Sequence, residues 1–510
     1  MRAMEELESI HLEDILVKNN MDFNKQMIEN GEFGVAQSIR YPIVVASGLP
    51  GARLSELVLF ETGEIGEIFL LERDTAEILL FSKNPVKVGT KIIRLDKFIA
   101  VPVGDELLGQ MIDPLGARIS KEDAQLTISK GREIDVPPLG LSHRARIKKP
   151  FLTGVAIVDT MVPLGMGQKE LILGDRKSGK TSFLLSTIKN QVKLGAITIY
   201  AGIGKRKSDI KKVRDFFAEE GLIDSTIILA TTPYDSPSLI YTTPYSAITI
   251  AEYFRDQGRD VLVVLDDLST HARAYLEISL LAKRFPGRDS YPGDIFHTHA
   301  RIMERAGNFK LADGREASIT VLPVAEVVEG DLTGYITTNL MSMTDGHIFF
   351  DSNIYYEGRR PAVNISLSVT RVGRQAQTEL LRNINREIGA FLTLYERVQN
   401  LSHFGAELNA TVKETISTGE SVYKFFNQHF NISIPVQVQV TMFSLIWLNF
   451  IDRSDYGLTQ AKQKLVEAYL DEANKPLFDA GFEKKTFNEL LGYVAANKDK
   501  FTQICKIENS

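Results

Sequence analysis

The run Gly174-Asp175-Arg176-Lys177-Ser178-Gly179-Lys180-Thr181 fits the pattern G-x-x-x-x-G-K-[ST]. It follows a strand-like stretch, Glu170-Leu171-Ile172-Leu173, and runs into a helix-like one, Ser182-Phe183-Leu184-Leu185. The chemistry of such a loop needs that context. Its backbone N–H groups turn inward and cradle phosphates, and the helix N-terminus adds partial positive charge. On this reading Lys180 neutralises the β/γ oxygens and Thr181 ligates Mg²⁺. The alternative is a glycine-rich turn that matches by chance, and the flanking strand and helix argue against it. The expectation is a site for ATP or ADP with Mg²⁺; whether the chain also hydrolyses ATP is a separate question.

A second element agrees. Val261-Leu262-Val263-Val264-Leu265-Asp266-Asp267 is an apolar strand ending in carboxylates. Phosphate-loop enzymes place an Asp of the Mg²⁺ shell at such an end. Two acids after a strand also serve as a plain turn signal, but with the loop upstream Asp266 is the candidate metal residue.

The rest of the chain bounds the architecture. At 510 residues it is too long for one core. Apolar content of 44% and charged content of 24% are those of an ordinary globular protein. The net charge of -6 gives no support to a general nucleic-acid binder. No apolar run reaches the length of a membrane span. Glu5, Glu6, Glu8, Glu13 and Asp14 interrupt the N-terminal stretch, so it does not read as a signal peptide. The single cysteine, Cys505, leaves no internal disulfide and fits a reducing cytoplasm. Residues 4 to 20 read as a short acidic helix. From Glu32 to about Leu95, short β-rich runs such as Ile43-Val44-Val45 alternate with turn signals at Gly48, Gly51, Gly63, Gly66 and Pro85. That is the pattern of a small antiparallel barrel or sandwich. Strands of buried type then alternate with helical segments: Glu170–Leu173, Ile197–Tyr200, Thr226–Leu229, Val261–Leu265 and Ile319–Leu322. They predict a mostly parallel, covered sheet. Thr378 to Phe426 and Leu458 to Asn474 carry helical spacing.

Taken in order along the chain, the motifs resemble the α subunit of the F-type ATP synthase, the mostly non-hydrolysing partner in an α3β3 ring. The loop resembles that subunit's Gly-Asp-Arg-Gln-Thr-Gly-Lys-Thr. Glu252-Tyr253-Phe254-Arg255-Asp256 with Asp266-Asp267-Leu268-Ser269 matches its second nucleotide motif. Pro286-Gly287-Arg288-Asp289-Ser290-Tyr291-Pro292-Gly293-Asp294 matches its Pro-Gly-Arg-Glu-Ala-Tyr-Pro-Gly-Asp loop. Thr344-Asp345-Gly346-His347-Ile348, Ser368-Val369-Thr370-Arg371-Val372-Gly373 and Leu71-Glu72-Arg73-Asp74 match further stretches. The resemblance implies an N-terminal helix or extension (1–24), a β-barrel (25–96), a central α/β RecA-like phosphate-loop domain (97–376) and a C-terminal α-helical bundle (377–510).

It also implies roles. Where the catalytic β subunit of the family has a Glu after the second sheet strand, and the α subunit a Gln, this chain has Lys205. A protonated ammonium cannot act as a general base; it would attract the γ-phosphate, or else it is a surface charge turned to solvent. Arg371 matches the family arginine that reaches into the neighbouring subunit's site as an arginine finger; the alternative is an ordinary interface salt bridge. Arg176 and Lys177 are expected to touch phosphate, Glu326 to lie close to the metal, and Arg360, Pro361 and Gln428 to wall the adenine pocket. The pocket departs from the family's Gln-x-Gln-Tyr, with Phe430 at the second Gln. Lys177, Lys205 and Arg374 add positive charge where the family has none. Tyr41-Pro42 and the N-terminal helix also fit poorly, which puts docking to a standard stator in doubt.

The implied partners are catalytic β-type subunits, a central γ-type shaft surrounded by helices around Leu401-Ser402-His403-Phe404-Gly405, and a membrane or other machinery reached through the complex, without nucleic acid. The implied place is cytoplasmic, peripheral at the inner face of the cell membrane. A housekeeping synthase and a specialised paralogue both stay open. The competing class is a self-sufficient hexameric ATPase of the protein-export or Rho-like translocase type. It would need a catalytic Glu in each subunit.

Overall fold

The computed structural model describes residues 23, 27–28, 31–119, 130–402 and 410–505. The expected helix over residues 4–20, and His403 to Gly405 of the expected shaft-facing segment, lie outside the described residues. The chain divides into two compact units: Met1–Arg146, Leu194–Val327 and Asp331–Thr344 form one, and Ile147–Lys193, Val328–Gly330 and Asp345–Ser510 the other.

The first unit opens with the barrel. Strands β1 (Gly34–Arg40), β2 (Ile43–Ser47), β3 (Glu56–Phe60), β4 (Ile65–Leu71), β5 (Thr75–Leu80) and β6 (Lys91–Phe98) close in the order β1-β2-β5-β4-β3-β6. All pairs are antiparallel. Period-two alternation explains the packing. Val44, Val58, Phe60, Ile68, Ile78, Leu80 and Ile92 fill one core. The opposite-facing Ile43 and Leu79 pack against Ile278 of the helix Leu268–Leu281.

The same unit holds a parallel sheet. The strand Ile197–Gly202 pairs with Thr226–Ala230 on one side and Val261–Asp266 on the other. Thr226–Ala230 also pairs with the short strand Met111–Ile112. Val261–Asp266 pairs in turn with the long strand Glu316–Glu326. These strands are almost wholly buried, as near-continuous apolar runs covered on both faces must be. All parallel strands deliver their C-terminal ends to one edge of the sheet. Asp266 and the turn after Gly202 therefore meet at that edge.

In the second unit the buried strand Glu170–Gly174 runs parallel to Gly346–Phe350, whose other edge takes Val369–Thr370 antiparallel. The helix Lys180–Lys193 follows the phosphate loop. Beyond it the chain is helical: Glu379–Ser402, Ala410–Phe426, Val436–Trp447, Asp455–Leu470, Lys475–Phe482, Phe487–Ala496 and Lys498–Cys505. Ser454 and Thr486 cap two of these helices through backbone N–H groups of Gly457 and Glu489. Aromatic edges hold the helices together: Phe425 meets Phe443 at 5.0 Å, Trp447 meets Phe391 at 4.8 Å, and Phe478 meets Phe501 at 5.7 Å. The barrel, α/β and helical parts expected from the sequence are all present. Among the described residues no helix is long and apolar enough to cross a membrane.

Candidate nucleotide-binding site

The phosphate loop is held from within. Lys177 and Gly179 adopt left-handed φ values of 64° and 99°, and the turns they make curl the loop. The Ser178 hydroxyl donates to the Asp175 carbonyl at 2.8 Å. The Asp175 carboxylate accepts from the Gly330 N–H at 3.2 Å and the Ser352 hydroxyl at 2.8 Å. Asp175 and Ser178 thus give their side chains to the scaffold and have only backbone to offer a phosphate. The buried Lys180 ammonium folds back on the carbonyls of Gly174 and Asp175, at 2.7 and 2.6 Å. Arg176, Lys177 and Thr181 are exposed.

Tyr355, which sequence reasoning missed, stands beside this loop: a methyl group built on Gly179 would meet its ring at 3.9 Å. The Arg360 guanidinium lies 3.5 Å from the Tyr355 ring centroid and donates to the Tyr355 carbonyl at 2.5 Å. Pro361 follows, half-buried. Gln428 follows in a network of backbone partners. Its N–H donates to the Arg360 carbonyl at 2.6 Å. Its side chain accepts from the Ala156 N–H at 3.1 Å and donates to the Gly154 carbonyl at 2.7 Å and to the Ile432 carbonyl. At 4% exposure it stitches backbone together. Phe430 keeps 38% of its surface exposed. Its neighbour Asn431 accepts from Lys189 of the phosphate-loop helix at 3.0 Å.

In the other unit, Lys205 is not a charge turned to solvent. Its ammonium lies 2.7 Å from Asp266 Oδ1 and 3.2 Å from Asp267 Oδ2. The loop carrying it is sewn to the strand ends, since the Lys205 N–H donates to the Thr231 carbonyl and the Ile203 N–H to the Asp266 carbonyl, both at 2.8 Å. Gly204, at φ 61°, passes so close to Thr270 that a Cβ would stand 2.7 Å from its methyl. Burial works against the Lys205 charge, but Asp266 and Asp267 overcome it and hold its pKa above the ordinary lysine value. Tyr200 donates to Asp266 Oδ2 at 2.8 Å, and burial together with that carboxylate pushes the phenol well up. Glu326 ends its strand with its N–H on the Ser269 hydroxyl at 3.0 Å. Of the two groups expected at Mg²⁺, Thr181 is an exposed residue on the first turn of its helix, whereas both carboxylate oxygens of Asp266 have partners within the chain.

Arg371 closes a latched strand. The Thr370 hydroxyl donates to the Pro163 carbonyl at 2.8 Å and accepts from the Gly373 N–H at 3.2 Å. Gln168 reaches Thr370 at 3.4 Å and the carboxyl of Glu170 at 2.6 Å. Glu170 is fully buried, and burial raises its pKa well above the usual carboxylate value; Gln168 and Arg371 oppose the rise and Asp345 adds to it. Gly346 makes room for this arrangement: a Cβ there would lie 2.1 Å from the Val369 carbonyl and 2.7 Å from Glu170. The Arg371 N–H donates to the Asp345 carbonyl at 3.0 Å, and its side chain is exposed. Its charge acts on the buried Glu170 carboxyl.

Residues 154–370 match the nucleotide-binding domain model of the ATP synthase alpha/beta family, and residues 377–492 match the C-terminal domain model of the ATP synthase alpha/beta chain. The chain belongs to the ATP synthase alpha/beta family. ATP synthase subunit alpha of Clostridium acetobutylicum is 35% identical over 477 residues, covering 93% of this chain and 94% of that one. ATP synthase subunit alpha of Neorickettsia sennetsu is 35% identical over 466 residues, covering 89% and 91%. Within this family member, the loop, Arg360 and Tyr355 share one unit, and Lys205, Asp266 and Glu326 share the other. No local pattern in the sequence marks Tyr355.

Proposed function

We propose that this chain is the non-catalytic, regulatory α-type subunit of an α3β3 rotary ATPase ring. It holds ATP or ADP at the phosphate loop and supplies Arg371 to the catalytic site of a neighbouring β-type subunit. The observation that carries the reading is Lys205. An ammonium clamped between two carboxylates stands where hydrolysis needs a group that orients or deprotonates water. A self-sufficient hexameric ATPase would need a carboxylate there, so Lys205 speaks against it. The exposed Arg371, on the residue after a latched strand, supports donation in trans, because an arginine finger has to reach a neighbouring site.

On this reading the loop amides, Arg176, Lys177 and Lys180 bind phosphate, and Arg360 and Tyr355 border the nucleotide near Pro361. Mg²⁺, arriving with the nucleotide, would meet Thr181 and offset phosphate charge. The domains follow the division 25–96, 97–376 and 377–510, with the helical part facing a central γ-type shaft. The complex, at the inner face of the cell membrane, is what reaches the membrane; this chain stays cytoplasmic and peripheral.

The test is equilibrium binding of a fluorescent ATP analogue to the purified chain, alongside steady-state hydrolysis. Binding that Lys180→Ala abolishes, with negligible turnover, is expected. Robust hydrolysis by the chain alone would overturn the reading.

A further inference from the structure

The four carboxylate oxygens at the end of the strand Val261–Asp266 all have partners inside the chain. Asp266 Oδ1 takes the Lys205 ammonium at 2.7 Å, and Asp266 Oδ2 takes the Tyr200 hydroxyl at 2.8 Å. Asp267 Oδ2 takes the same ammonium at 3.2 Å. Asp267 Oδ1 accepts the Thr270 N–H at 2.7 Å and so caps the helix Leu268–Leu281. Both residues are at most 4% exposed. A hard divalent cation needs oxygen ligands it can approach closely. Here the oxygens are engaged, and the gap between the carboxylates holds a fixed positive charge that repels a second cation.

We infer that Asp266 and Asp267 form a cation site already filled by Lys205, and that this chain uses an internal ammonium where a divalent metal would otherwise sit at the strand end. The inference draws on the nucleotide-binding reading only for the expectation that a metal belongs here. Local structure supports a permanent occupant. The lysine's stem lies 3.6 Å from where a Cβ on Gly202 would stand, and its N–H is tied to Thr231 at 2.8 Å. A buried carboxylate pair left without a counter-charge would be strongly disfavoured, so the ammonium is part of the fold as well as of the site.

The experiment uses Mn²⁺ alone as the probe, titrated into the full chain and followed by the electron paramagnetic resonance signal of the free ion. In the wild type, Asp266→Asn leaves Mn²⁺ binding unchanged. Lys205→Gln gains a Mn²⁺ site, and adding Asp266→Asn removes it. Lys205→Arg, which keeps the charge, gains none. Loss of Mn²⁺ binding on Asp266→Asn in the wild-type background would overturn the inference, and that arm does not depend on whether Lys205→Gln folds. A folded Lys205→Gln chain that gains no site would overturn it too. Failure of the nucleotide reading appears separately, as absence of ATP-analogue binding at every metal concentration.

Discussion

Thr370→Val isolates the latch that presents Arg371. Valine matches threonine in shape, so the change removes one hydroxyl and little else. That hydroxyl donates to the Pro163 carbonyl at 2.8 Å and accepts from the Gly373 N–H at 3.2 Å, with Gln168 at the long distance of 3.4 Å. A net hydrogen bond contributes about 1 kcal/mol, and leaving a partner unsatisfied costs about 1–3 kcal/mol. Thr370 is only half-buried, so water relieves part of this, and a loss of about 1–2 kcal/mol from the local arrangement is expected. The strand it anchors carries Arg371 on the next residue. A displacement of about 1 Å of a catalytic group can lower a rate about 100-fold. The assay is ATP hydrolysis by rings assembled with the catalytic partner. If Arg371 is the proposed finger, Thr370→Val should lower kcat about tenfold or more with KM for ATP nearly unchanged, because a finger acts on charge that develops in the transition state. Thr370→Ser, which restores the hydroxyl, should recover most of the rate. A wild-type kcat in the valine variant, with Arg371→Ala still impaired, would refute the latch.

Two further outcomes follow from buried polar groups. Gln428→Leu leaves the Ala156 N–H without its partner and the Gly154 carbonyl with only the Ile434 N–H at 3.0 Å, and urea denaturation should register a loss of about 1–3 kcal/mol; an unchanged midpoint would contradict this structural role. Glu170 has a folded pKa well above its ordinary value, so the native state holds a proton that the unfolded chain has released. Its contribution is full at pH below the ordinary glutamate value and is lost as pH rises towards the raised one. Glu170→Gln should therefore flatten the fall of unfolding free energy across that window, and parallel slopes in the two proteins would contradict the assignment.

The phosphate loop, the acidic strand end and the barrel were legible in the sequence because each rests on local pattern: a spacing, an apolar run, an alternation. What was not legible depends on partners far apart in the chain. Lys205 and Asp267 are 62 residues apart, and only the pairing of Ile197–Gly202 with Val261–Asp266 brings them together. The resemblance could mark Lys205 as a cation in place of a carboxylate, but not the acids that hold it. Gln428 has side-chain partners 272 and 274 residues away, which no local pattern encodes. Asp175 and Ser178 matched the loop motif, yet their side chains serve to hold the loop in shape. The strand Gly346–Phe350 began within a matched motif without being read as a strand, and its glycine is explained only by the approach of Glu170 and Val369.

The central claim is that this chain lends its arginine to chemistry it does not perform. The direct measurement is ATP hydrolysis by the assembled ring carrying Arg371→Ala, with analogue binding to the isolated variant measured in parallel. The account predicts a fall in kcat on the order of 10³-fold while binding by this chain is unchanged. A ring that hydrolyses ATP at near wild-type rate without Arg371 would contradict it.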